Sequence, residues 1–186
     1  KKDFKKELDI VKEFLENHRC YAVGEIGIDL YWDKTFLAEQ QEAFKQQIHL
    51  AKEKNLPIVI HCREAFNEIF EVMDDLCDES LNGIFHCFTG NEQQAKKILN
   101  YGFKLGIGGV VTFKNGGLDK FLEKIPLQHI VLETDSPYLA PAPFRGKRNE
   151  SSYLINILEK LVDIYKMEPR EIAKITTLNS MEIFGV

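Results

Sequence analysis

Residues 57–86 read PIVIHCREAFNEIFEVMDDLCDESLNGIFH, and this stretch decides the fold. It opens on a short apolar run, Pro57 to His61, and closes on another, Gly83 to His86. Between them Glu64 to Leu76 carries apolar residues at helical spacing. Strand, helix, strand in about 30 residues is one βα unit, whose strands need a parallel neighbour. Each apolar run ends in a histidine followed by a cysteine.

The same alternation continues in both directions. Upstream, Ala22 to Ile28 reads as a strand and Leu37 to Lys54 as a helix stopped by Asn55 and Pro57. Downstream, Glu92 to Asn100 is a helix, Phe103 to Ile107 a strand, and Leu118 to Lys124 a short helix. His129 to Leu132 is a further strand, followed by a long irregular loop to Asn149. Helices are predicted over Tyr153 to Tyr165 and Pro169 to Thr176, with a last turn ending at Gly185. The chain begins on an amphipathic helix, Lys1 to Asn17, with Phe4, Leu8, Val11, Phe14 and Leu15 on one face. Continuously apolar strands suit a parallel sheet covered on both sides.

A doubly wound sheet and a (β/α)8 barrel both fit this pattern. The GxGxxG fingerprint of the former is missing, since Gly24-Glu25-Ile26-Gly27 does not match it. A full barrel takes about 250 residues. The fold expectation is therefore α/β, a TIM (β/α)8 barrel that is N-terminally incomplete by about two βα units. Residues 1–186 are expected to form a single metal-dependent hydrolase domain.

Composition narrows the class. The chain has 186 residues, 44% of them hydrophobic, enough for a substantial core. No apolar run reaches the roughly 20 residues that span a bilayer, so no membrane association is expected. No signal-peptide pattern opens the sequence. The net charge is -5, so contact with phosphates must rest on a local basic patch or on bound metal ions. None of Cys20, Cys62, Cys77 and Cys87 is in CxxC spacing, and reduced thiols in the cytoplasm are expected. Cys62 and Cys87 are read as turned outward against a helix while the preceding histidine turns inward, a nucleophile or ligand role being the alternative. No obligate protein partner is predicted.

Polar groups punctuate the strands. Glu25 lies in VGEIGID, His61 closes PIVIH, His86 closes GIFH, and Asp135 follows IVLET. The gaps are 36, 25 and 49 residues, consistent with one, one and two βα units. The carboxyl ends of parallel barrel strands converge on one face, so these four side chains could meet there. Two imidazoles and two carboxylates suit a divalent metal. Each residue alone also has a structural reading, as a hydrogen-bonding histidine or a helix-capping acid. The expected chemistry is metal-assisted activation of water with Asp135 as proton acceptor. Arg145, Lys147 and Arg148 follow in PAPFRGKRNE, and Arg63 lies two residues after His61; these suit phosphate. A solvated charge cluster is the bland alternative. Tyr31 and Trp32 could stack on a base or simply pack. His18, His49 and His129 read as structural.

At these residues the sequence resembles the TatD family of metal-dependent deoxyribonucleases, in the amidohydrolase superfamily. The matching motifs are Gly24-Glu25-Ile26-Gly27-Ile28-Asp29, His61-Cys62-Arg63, His86-Cys87-Phe88-Thr89-Gly90, Glu133-Thr134-Asp135-Ser136-Pro137-Tyr138-Leu139 and Arg145-Gly146-Lys147-Arg148-Asn149-Glu150. The resemblance implies a (β/α)8 barrel with two divalent ions, Mg, Mn or Zn. It implies that Glu25 bridges them, that His61 and His86 are ligands, and that Asp135 is a ligand and proton acceptor. It implies DNA, single-stranded or at 3′ ends, as substrate, with 3′-to-5′ exonuclease activity in some members. The family's first strand carries a His-x-His pair that is absent here, and Ser151 stands where the family often has Pro. The open alternatives are a superfamily hydrolase acting on an amide, lactone or aminoacyl ester, and an inactive fragment lacking half its metal site.

Overall fold

The computed structural model describes residues 3–186, so the first two positions of the expected opening helix lie outside the described residues. The elements in chain order are α1 (Phe4–Asn17), β1 (Val23–Asp29), α2 (Leu37–Lys54), β2 (Ile58–Arg63), α3 (Phe66–Leu76), β3 (Gly83–Phe85), α4 (Glu92–Asn100), β4 (Lys104–Ile107), β5 (Ile130–Leu132), α5 (Leu154–Tyr165) and α6 (Pro169–Phe184). Short 3-10 turns fill the stretch between β4 and β5. The strand order is β1-β2-β3-β4-β5. The observed pairings β1–β2 and β4–β5 are both parallel. A doubly wound sheet would reverse its order at a switch point. An order that follows the chain is that of a barrel-type sheet.

The contacts divide the chain into two compact units, one ending at Ile84 and one running from Phe85 to Phe184. In the first, Ile26, Ile28 and Leu30 of β1 and its exit are buried, as are Ile58 and Ile60 of β2. Phe44, Ile48 and Ala51 of α2 and Ile69, Phe70 and Met73 of α3 are buried with them. Burial in β1 therefore alternates, contrary to the continuously buried strand expected: Gly27 and Asp29 are only half-buried. α2 stops where Asn55 turns left-handed and its N–H bonds back to Ala51 and Lys52 carbonyls. α1 buries only Leu8 of its expected apolar face, and Phe14 stacks on His18 instead.

In the second unit α4 begins with a capping box, Asn91 with Gln94. Phe103, Leu105 and Ile107 are fully buried, and so are Ile130 and Ile98. Tyr165 on α5 donates its hydroxyl to the carbonyls of Leu122 and Ile125, at 2.7 and 2.8 Å. α6 runs on through Thr176 to Phe184 where a break was expected. The reason is tertiary: buried Asn179 donates to the carbonyls of Leu127 and Ile130, at 2.8 and 2.7 Å. Those two bonds hold α6 against β5 and override the weak helix propensity of Thr, Asn and Ser.

Candidate functional site

In the first unit the side chains gather around His61. Glu25 lies nearer the start of its strand than expected, as the third residue of β1. The β1–β2 register shifts between Gly24 and Ile26. Such an irregularity re-aims the side chain it carries. Glu25 Oε2 lies 3.9 Å from His61 Nδ1. On the other side of the ring, His61 Nε2 is 3.1 Å from Asp29 Oδ2. A carboxylate only accepts, so this bond places a proton on Nε2 and turns Nδ1 toward Glu25. A carboxylate fixing a histidine tautomer is the usual support of a metal-ligating imidazole. Two metal–ligand bonds of about 2.1 Å can span a gap of this size. The donors therefore fit a divalent ion.

Gly27 explains why β1 and β2 approach so closely here. It pairs with His61 at a φ of 140°, and a Cβ would stand 2.0 Å from the His61 carbonyl oxygen. Any other residue would push the two strands apart.

The neighbouring cysteine lies in an apolar setting. Burial pushes the Cys62 thiol up to about 12, with the carboxylates of Glu68 and Asp29 adding to the effect. Burial of this kind disfavours the thiolate, the form that acts as a nucleophile. Arg63, at the end of β2, sets its guanidinium over the Tyr31 ring, 3.7 Å from the centroid.

In the second unit His86 is 8% exposed and follows β3 directly. Its Nδ1 is 3.9 Å from Glu133 Oε2, and Glu133 Oε1 accepts the Cys87 N–H at 2.5 Å. Gly106 leaves room for this carboxylate: a Cβ there would stand 2.9 Å from Glu133 Oε2 and 3.0 Å from His86 Cα. Gly106 therefore serves close packing.

Asp135 is half-buried three residues beyond β5, with a φ of 52°. Its carbonyl accepts the Tyr138 N–H at 2.7 Å. The loop it begins is closed by Asn149, which is 2% exposed. The Asn149 amide donates to the carbonyls of Thr134 and, at 2.6 Å, Tyr138. Its backbone N–H reaches the Pro137 carbonyl at 3.0 Å. This clasp brings Arg148 back beside the segment that carries Asp135. Arg145, Lys147 and Arg148 are all exposed. Arg145 lies over the Phe113 ring at 3.4 Å, on the rim of an open cleft of about 600 Å³ that Thr89, Thr112 and Lys114 also line.

Asp29, Glu133 and Asn149 are supports that the sequence reading quoted inside motifs without giving them roles. For Asp29 a signal existed: it stands two residues beyond Gly27, on the less buried face of β1. His129 has its pKa lowered, mainly by burial, and closes the 3-10 turn that precedes β5. Among the described residues no helix is long and apolar enough to cross a membrane.

Comparison with known proteins agrees with this picture. A family model described as TatD related DNase matches residues 1–185. That match spans the chain, so it does not mark an N-terminal portion as missing. YabD of Bacillus subtilis (strain 168), described as an uncharacterized metal-dependent hydrolase, is 42% identical over 177 residues, 95% of this chain and 69% of that protein. The 3′-5′ ssDNA/RNA exonuclease TatD of Citrobacter rodentium (strain ICC168) is 33% identical over 171 residues, 89% of this chain and 65% of that protein. The crystal structure of YJJV, a TatD homologue from Escherichia coli K12, superposes with a TM-score of 0.90 at 28% identity, covering 96% of this chain and 70% of that one. The chain thus spans about two thirds of the length of these relatives. With its parallel, chain-ordered strands of TIM-barrel type and its histidine–carboxylate donors, this chain belongs to the TatD family of metal-dependent hydrolases.

Proposed function

We propose that this chain, acting as one hydrolase domain over residues 1–186, hydrolyses phosphodiester bonds in single-stranded DNA from the 3′ end, in the cytoplasm. The observation that carries the reading is the Asn149 clasp. It holds an exposed Arg145–Arg148 segment beside Asp135 in a chain that also bears metal-type donors. The family's description and the name of the Citrobacter relative point the same way. A neutral amide or lactone would have no use for three cations.

In this reading Glu25, His61, His86 and Asp135 would hold two divalent ions, Mg, Mn or Zn. Glu25, His61 and His86 are one carboxylate and two imidazoles, a donor set that could hold such an ion. Bound metal supplies a water of lowered pKa and neutralises charge on the phosphate. Asp135 takes the proton of the attacking water. Asp29 holds the His61 ring in its ligating tautomer. Arg63, Arg145, Lys147 and Arg148 hold the phosphates on either side of the scissile bond.

The test is cleavage of a 5′-labelled single-stranded oligodeoxynucleotide by chelator-stripped chain, with each metal returned in turn. Shortening from the 3′ end that needs metal is expected. No metal uptake and no cleavage with any of the three ions would remove the nuclease reading. Arg148→Ala should raise the apparent KM for the oligonucleotide and flatten its salt dependence by close to one counterion. An unaltered salt slope would make the basic segment a solvated cluster only.

A further inference from the structure

Trp32 and Tyr31 have no part in the function proposed above, yet they are placed conspicuously. Trp32 is 80% exposed and Tyr31 47% exposed. Their rings meet edge to face, with centroids 4.7 Å apart. Indole in water gives up a large amount of burial, and a solvent-facing aromatic pair of this kind marks a contact surface. Packing, the other role open to these residues from the sequence, does not describe a side chain this exposed.

Two further observations say what the surface takes. The Arg63 guanidinium lies 3.7 Å from the Tyr31 centroid and 5.8 Å from that of Trp32, so a fixed positive charge flanks the rings. The loop is also tied to the proposed metal ligand. Asp29 Oδ2 faces His61 Nε2 at 3.1 Å, while Asp29 Oδ1 accepts the Tyr31 backbone N–H at 2.9 Å. One carboxylate thus sets both the imidazole and the root of the aromatic loop.

Resting on the nuclease reading, we propose that Trp32, Tyr31 and Arg63 form a stacking site for a base of single-stranded DNA, next to the nucleotide being cleaved. The indole supplies the stacking face. Arg63, steadied on Tyr31, meets the adjoining phosphate. Stacking tolerates any base, so the site grips an unpaired strand without reading its sequence. A base already paired and stacked in a duplex cannot reach it.

Trp32 is the sole tryptophan of the chain, so intrinsic tryptophan emission reports on this loop alone. The chain is titrated with a dye-labelled, cleavage-resistant phosphorothioate oligodeoxythymidine, following tryptophan emission and dye anisotropy together. Quenching that tracks binding is expected. Trp32→Ala is expected to weaken the oligonucleotide roughly tenfold, within the range for losing one stacked base. An abasic phosphorothioate strand should bind the parent and Trp32→Ala equally. Binding by anisotropy with unchanged emission, and equal affinity of the variant for the thymidine strand, would overturn the stacking site while leaving the nuclease reading in place. Absence of oligonucleotide binding altogether would overturn both.

Discussion

Asp135→Asn is expected to slow oligonucleotide hydrolysis by about 10²- to 10⁴-fold, the usual worth of a positioned general base. Folding should be left within about 0.5 kcal/mol of the parent, as for a side chain that is not deeply buried. The separation is possible because of the backbone. Asp135 sits at a φ of 52°, in the left-handed region where Asn is as well tolerated as Asp. Asn also keeps the size of the side chain, so only the ionisable oxygen is lost. Alanine would confound the test by adding strain at the same φ. Turnover and thermal unfolding measured side by side decide the matter. Retained turnover in a normally folded variant would take Asp135 out of the proton transfer.

The second large effect is expected at Asn149. Its buried amide satisfies the carbonyls of Thr134 and Tyr138, and its Oδ1 accepts the Glu150 N–H at 2.9 Å. Asn149→Ala leaves two part-buried carbonyls without this donor, each costing up to about 1–3 kcal/mol. A loss of about 2–4 kcal/mol in urea unfolding follows, given partial access of water to the opened loop. The same change frees the segment that carries Asp135 and the basic residues. A misplacement of about 1 Å at a reacting group can cost about 10²-fold, so kcat should fall along with stability. Lost stability with unchanged kcat would show that the clasp supports the loop without aiming Asp135.

The fold was largely legible in the residues because its determinants are local. Apolar runs of strand length alternate with helical spacing, and Asn55, Pro57 and the Asn91 capping box punctuate them. The bounds of α2 and α4 match the sequence reading. What failed depended on distant partners. α6 continues past Thr176 because Asn179 reaches carbonyls about fifty positions earlier in the chain. The alternation of β1 is visible as apolar residues at 26, 28 and 30, but Gly27 between the first two made the run look uniformly apolar. At the site, residue types and spacing singled out Glu25, His61, His86 and Asp135. The residues that orient them were less visible. Asp29, Glu133 and Asn149 reach partners between 11 and 46 positions away through hydrogen bonds, and no periodicity encodes such a bond.

Gly106 and Glu133 cannot vary independently. The carboxylate occupies the space that a side chain at position 106 would need, at 2.9 Å from where its first carbon would stand. A lineage that gained even a methyl group on β4 would have to shorten or move the acid on the far side of β5. Losing that acid first would remove the bond it accepts from the Cys87 N–H and the Glu133 carboxylate beside the His86 ring. Neither single step is neutral, so the pair forms a small epistatic lock. Relatives that keep a glycine at the one position are therefore expected to keep an acid at the other.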